Sequence, residues 1–305
     1  MVEITAQAVK ELREVSGAGM MDCKKALVET NGNLQEAIDW LRKKGMATAE
    51  KKSGRTAAEG LVAISVAADN KSAAVIELNS ETDFVAKNAD FQAAAKLVAG
   101  HALATDGSLD AVCERHCDVA GKKVKDAIID LVAKIGENIG VRRTAKLSSA
   151  NGVVATYIHN AAAPNIGKIG VLVALEGADD AKLLEVGKQV AMHIAAAKPT
   201  ALTRAEVSAE QLDREKDIFT EQARAEGKPD NIIAKMVEGR INKFYGEVVL
   251  PEQVFVIDGK AKVSEFLAGH GADIKITAFK LFIVGEGIEK KTEDFAAEVA
   301  KVVNG

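Results

Sequence analysis

Twice along this chain the same plan appears: two strands, a turn, then a helix. "GLVAISVAADNKSAAVIELNSETDF" begins at Gly60 and leads into "FQAAAKLVAGHALA", with His101 near the helix end. "GVVATYIHNAAAPNIGKIGVLVALEGADD" begins at Gly152 and leads into "VGKQVAMHIAAAKP", with His193 in the matching place. Each first strand opens on a glycine followed by branched residues, and each second strand is a near-continuous apolar run. Each copy also has a candidate third strand later in the chain, "IGVRRTAKL" for the first and "DIKITAFKLFIV" for the second. Few architectures accept such a pattern. It predicts an α+β fold with a duplicated core, each copy an antiparallel three-stranded sheet with helices packed on one face.

Three pieces lie outside the duplication. The first 45 residues read as three short helices, with Ala8, Leu12 and Val15 at helical spacing in the first and Leu34, Ile38 and Leu41 in the third. Gly17 and Gly19 break the first from the second. Arg42, Lys43 and Lys44 with Gly45 predict a helix stop, because cations suit the carbonyl end and glycine suits the cap. "MATAEKKSGRTAAEG" then reads as a linker. From Thr203 to Phe244 the second copy is interrupted by a charged helical insertion, with Leu212, Phe219 and Ala223 on one arm and Ile233, Val237, Ile241 and Phe244 on the other. Gly227 and Pro229 of "EGKPD" cannot continue a helix, so the arms form an antiparallel hairpin.

Composition narrows the function. A net charge of −4 gives the chain no overall attraction to nucleic acid. The start lacks the basic and apolar pattern of a signal peptide. The longest stretch free of charge, Leu147 to Gly167, carries Asn151, His159, Asn160, Pro164 and Asn165, so no membrane span is expected. Three cysteines among 305 residues fit a reducing, cytoplasmic setting. An aromatic content of 4% means the core is built from Ala, Val, Leu and Ile.

Chemistry-bearing motifs are scarce. Five Gly-Lys pairs occur, and none is followed by Ser or Thr as a phosphate-binding loop requires. "GEGIEKK" lacks the third glycine of a dinucleotide fingerprint. Cys113, His116 and Cys117 would share one face if helical and could supply three metal ligands; a reduced, partly buried thiol pair is the plainer reading. Cys23 reads as a small packing residue. His101 and His193 sit where an imidazole meets the free carbonyls of a helix end. The basic run from Arg42 to Arg55 has no interleaved aromatics for base stacking. No cofactor is expected.

"NSETDFVAKN", Asn79 to Asn88, is the exception. A turn between strand and helix should be polar, yet this one carries Asp83, Phe84 and Val85 in a row. The plain reading is a helix start, with Thr82 or Asp83 as the cap and Phe84 folded back as a staple.

The stretches "VKELREVSGAGMMDCKKAL", "NSETDFVAKN" and "GEGIEKKTEDFAAEVA", supported by "KIGENIGVRR", "VAMHIAA" and "KMVEGRINKF", resemble the bacterial elongation factor Ts family essentially from Met1 to Gly305. The resemblance implies a guanine-nucleotide exchange factor for elongation factor Tu, without covalent chemistry. It implies a ubiquitin-associated-like three-helix module at 1–45, a linker at 46–57, a first core subdomain at 58–148 and a second at 149–200 and 246–284. A coiled-coil hairpin at 201–245 and a C-terminal helical module at 285–305 complete it. It implies that Thr82, Asp83, Phe84 and Val85 disturb the partner's Mg²⁺ site, with Asp83 and Phe84 the intruding pair. Further partner contacts are implied at Leu12, Met20, Met21 and Phe295. A histidine is implied to support the intruding loop: His101 is carried with the partner-binding set, with His159 and His193 as the alternatives. A zinc or thiol enzyme built on Cys113, His116 and Cys117 is the competing class, and an RNA-binding protein a third.

Overall fold

The computed structural model describes residues 4–118 and 121–289. Three helices open the chain: α1 (Ala6–Ser16), α2 (Met20–Glu29) and α3 (Leu34–Lys52). Thr5 caps α1 through its hydroxyl, which accepts from the Ala8 amide at 3.2 Å, and Gly17 ends it at φ 67°. Asn33 caps α3, accepting from the Gln35 and Glu36 amides. Val9, Leu12, Cys23, Ala26, Leu27 and Ala37 form the module's core, flanked by Trp40 and Leu41.

The stop predicted at Gly45 is not there. Helix α3 continues to Lys52, because six of the seven residues of "MATAEKK" are strong helix formers and because α3 packs on α6 (Val124–Ile135). Gly45 is buried, and a Cβ there would stand 3.5 Å from Ala133 Cβ, an ordinary contact. Much of the expected linker is therefore helix.

Strand β1 (Glu59–Val66) and strand β2 (Ser72–Ser80) follow, then a short 3-10 turn at Phe84–Lys87 and helix α4 (Ala89–Leu103). A small helix α5 (Leu109–Glu114), the two-residue strands β3 (His116–Cys117) and β4 (Lys122–Lys123), α6 and strand β5 (Gly140–Ser148) complete this copy. The second copy has β6 (Gly152–His159), the short β7 (Ile166–Gly167), β8 (Ile169–Glu176) and α7 (Asp180–Ala197). After it come the hairpin helices α8 (Ala209–Ala225) and α9 (Asp230–Val248), then α10 (Val263–His270) and β9 (Lys275–Ile283).

The sheets bear out the duplication, with one addition. The first has the order β5-β2-β1-β7 and the second β6-β8-β9, so each second strand lies beside its copy's late third strand. β6 and β8 run antiparallel, pairing Gly152 with Glu176 and Thr156 with Leu172. The extra strand β7 was not anticipated.

The chain divides into two compact units. The first holds the described residues of Met1–Ala63, Ile76–Thr144 and Ile283–Gly305, and the second holds Ile64–Val75 and Ala145–Phe282. In the second, Val153, Val171, Val173, Leu175, Val186, Val190 and Ile194 pack with Phe255 and Leu267, and the Phe255 and Phe266 rings stack at 4.1 Å. The hairpin meets at its expected seam, with Ala223 and Ile233 buried, while Ala201, Val207 and Val249 form a small core at its base.

Candidate functional site

The turn after β2 is built from both ends. Upstream, the Ser80 hydroxyl donates to the Thr82 carbonyl at 3.0 Å. The Thr82 amide donates to Glu137 Oε2 at 3.0 Å, and its hydroxyl to Glu137 Oε1 at 2.6 Å. Glu81 accepts from the Asn138 amide at 2.6 Å and lies 3.4 Å from Arg55 Nη1. Downstream, Val85 and Ala86 are buried, and Gln92 Nε2 donates to the Ala86 carbonyl at 2.9 Å.

Between these fixed points Asp83 and Phe84 project. Phe84 is 76% exposed while Val85, the next residue, is 7% exposed. The cap of α4 is Asn88, whose side chain accepts from the Asp90 and Phe91 amides at 2.9 and 3.2 Å. Asp83 makes no side-chain cap bond. The staple reading is thus overturned: Asn88 does the capping and Phe84 does not fold back. Val85 does not join the projecting pair. It faces its own core as the turn's anchor.

The other predicted residues fall out differently. Leu12 is fully buried in the three-helix core, so it shapes the module and cannot touch a partner in this arrangement. Met20 and Met21, at the start of α2, are strongly exposed. Phe295 lies outside the described residues, as does most of the segment expected at 285–305. His101 stands in the last turn of α4, twelve residues beyond its start and so about 18 Å along the axis from the turn. It is not the turn's support. His159 is exposed and its Nδ1 lies 3.0 Å from the Tyr157 hydroxyl. His193 is buried: the Val256 amide donates to its Nδ1 at 3.2 Å, and its Nε2 lies 2.9 Å from Gln253 Oε1. Among the described residues the groups holding the turn are Ser80, Glu137, Asn138 and Gln92. Glu137 and Asn138 lie more than fifty residues downstream, which no local pattern signals.

His193 instead props the loop that carries Val254, Val256 and Ile257, all half-exposed apolar residues that sequence reading missed. Within that apolar run Phe255 alone is buried.

The metal reading fails on geometry. Helix α5 ends at Glu114, Arg115 is extended, and His116 and Cys117 lie in β3, so the three side chains share no helical face. Cys117 is buried and His116 exposed. Burial, with Asp110 and Glu114 nearby, raises the Cys113 pKa and keeps the thiol protonated. Among the described residues no cluster of three or more His, Cys, Asp or Glu side chains could hold a metal ion. Nor is any described helix long and apolar enough to cross a membrane.

What these features define is a duplicated α+β chain with a three-helix N-terminal module and one held turn presenting a phenylalanine. The family model for elongation factor Ts matches residues 81–286. The chain is 56% identical to the elongation factor Ts of Rhodospirillum centenum over 307 residues, 99% of each chain. It is 56% identical to that of Bartonella henselae over 309 residues and 55% identical to that of Rhizobium rhizogenes over 310, covering both chains fully in each case. This chain belongs to the elongation factor Ts family.

Proposed function

We propose that this chain binds GDP-loaded elongation factor Tu and promotes GDP release, so that GTP can reload, by inserting Asp83 and Phe84 near the partner's Mg²⁺ and phosphates. Such a role belongs to translation elongation in the cytoplasm and makes or breaks no covalent bond. The observation that carries it is the exposure of Phe84 on a turn fixed on both sides. An aromatic ring left in water beside two buried neighbours costs burial that an external surface can restore.

The chemistry follows from how a GTPase nucleotide is held. Mg²⁺ demands near-octahedral oxygen ligands, so a small shift of the elements bearing them breaks the geometry. Phe84 acts as the wedge, gaining about 1.5–3 kcal/mol on burial. Asp83 takes hydrogen-bond donors that otherwise hold the closed arrangement. Three kcal/mol is roughly a hundredfold in an equilibrium, too little alone to displace a tightly held nucleotide. Broader contact supplies the rest, and Met20, Met21, Val254, Val256 and Ile257 are exposed apolar residues able to make it. Reciprocity follows: nucleotide weakens the factor's binding by the free energy with which the factor weakens the nucleotide's.

The test is release of a fluorescent GDP from elongation factor Tu with the parent chain and with Phe84→Ala. The reading expects acceleration by the parent and roughly ten- to a hundredfold less by the variant. Equal acceleration by a folded variant would remove Phe84 from the mechanism.

A further inference from the structure

We propose that the three-residue turn Gly136–Asn138, and Glu137 above all, is the positioning device of the Asp83–Phe84 loop; the inference rests on the exchange reading above. An exposed phenylalanine on a slack loop would fold onto its own surface, so presenting it requires that the backbone beside it be fixed. Thr82 is that fixed point. Its amide and hydroxyl donate to the two oxygens of one carboxylate, Glu137, and its carbonyl accepts from Ser80. All three polar groups of the residue before Asp83 are thereby used.

The clamp is reciprocal. Glu137 reaches across to the backbone of Thr82, while Glu81 reaches back to the backbone of Asn138. Two neighbouring residues on each segment grip the other, which fixes orientation as well as distance. Bonds to an ionised carboxylate are shorter and stronger than neutral ones, and the 2.6 Å hydroxyl contact fits that class.

The same turn holds a second element. Asn138 Nδ2 donates to the Arg55 carbonyl at 2.7 Å and the Ser53 carbonyl at 3.4 Å, and Lys52 Nζ donates to the Gly136 carbonyl. Gly136 closes α6 at φ 86°, a backbone conformation that favours glycine and that aims the next two residues at both neighbours. One turn thus fixes both the exchange loop and the end of α3, the last helix of the N-terminal module. Glu137 serves the loop, and Asn138 serves both.

Two measurements decide it. In the free full-length chain, hydrogen exchange at Thr82–Phe84 should quicken about tenfold in Glu137→Ala while β2 keeps its protection. Unchanged protection would overturn the clamp. With GDP-loaded elongation factor Tu, Glu137→Ala should lower the maximal release rate at saturating factor about tenfold and leave the half-saturating concentration within about twofold. Glu137→Gln should recover to within about threefold, because its amide can accept from the Thr82 amide and donate to the hydroxyl. An effect confined to half-saturation would make Glu137 a docking contact and overturn the proposal. So would a Phe84→Ala/Glu137→Ala chain that loses the full factor again relative to Phe84→Ala, since a positioning residue acts through what it positions. If Phe84→Ala itself releases GDP like the parent, the exchange reading fails, and hydrogen exchange on the free chain still decides the clamp.

Discussion

The two copies of the core can be aligned by their opening glycines. A Cβ on Gly60 would stand 2.1 Å from the Leu78 carbonyl oxygen, and one on Gly152 would stand 2.0 Å from that of Leu175. Leu78 therefore matches Leu175, Glu77 matches Ala174, and Ser80 matches Gly177. Beyond that point the copies part. The first spends residues 81–88 before its helix and the second only 178–179. Both helices still start on the same kind of cap, Asn88 in one and Asp179 in the other, each accepting from two amides. The strand and the helix are common to both, and the joint alone has been lengthened. The exposed Phe84 lies in that added length, where the scaffold does not need it.

Matching positions differ inside the strands too, and this gives the largest expected effect. Ala174 is a small buried residue, whereas Glu77 is a fully buried carboxylate. Arg143 Nε donates to it at 2.6 Å, the Gly285 amide at 2.8 Å, Asn79 Nδ2 at 3.0 Å and Arg142 Nη1 at 3.2 Å. The two arginines also reach onward to the Glu286 and Ile283 carbonyls. Removing one partner of a buried pair leaves the others uncompensated, so Glu77→Ala should cost about 3 kcal/mol in urea unfolding. That is the low end of the usual range, because both guanidiniums are partly exposed. A loss below about 1 kcal/mol would mean the cluster fixes geometry without stabilising the fold.

How much of this was readable from residues alone follows from the range of each interaction. The duplication, the late third strands and the hairpin seam rest on local periodicity, and the chain carries that openly. The joint's peculiarity was also visible, because an Asp-Phe-Val run in a turn breaks a local rule. What the residues could not show was who holds whom. Glu137 lies 55 residues from Thr82, and Arg142 lies 65 from Glu77. A charge inside an apolar strand gives no sign of its partner's address. The same blindness placed a helix end at Gly45, where packing of α3 on α6 overrides a poor helix former. The family resemblance likewise implied a partner contact at Leu12, a residue that the module's own core covers.

Within the lengthened joint, Phe84 and Val85 sharpen the contrast. Val85 is buried, so Val85→Ala should destabilise by about 2 kcal/mol through lost transfer energy and a small cavity. Phe84→Ala should shift stability by less than about 0.5 kcal/mol, as for a surface change. Thermal or urea unfolding of the two variants measures this directly. Similar losses for both would mean that Phe84 packs on its own chain in solution, and the joint would then be scaffold after all.

The smallest effect compares the helix histidines, His101 and His193. Both have pKa values lowered below 6.5, chiefly by burial. Arg115 lowers that of His101 further and Asp118 opposes it, while for His193 the bond to Gln253 opposes the shift. His193 is the more enclosed, and its Nδ1 already accepts from the Val256 amide, which a proton there would displace. A depressed folded-state pKa means the unfolded chain takes up the proton first as pH falls. The stability contributed by neutral His193 is therefore complete above about pH 6.5 and is lost as pH falls through its folded value. Melting temperature should decline from pH 7 to pH 5 in the parent, and His193→Gln should flatten that slope more than His101→Gln, whatever its effect on the absolute value. A His193→Gln chain with the parent's full slope would assign the pH response elsewhere. The loop bearing Val254, Val256 and Ile257 would then be held independently of the protonation state beneath it.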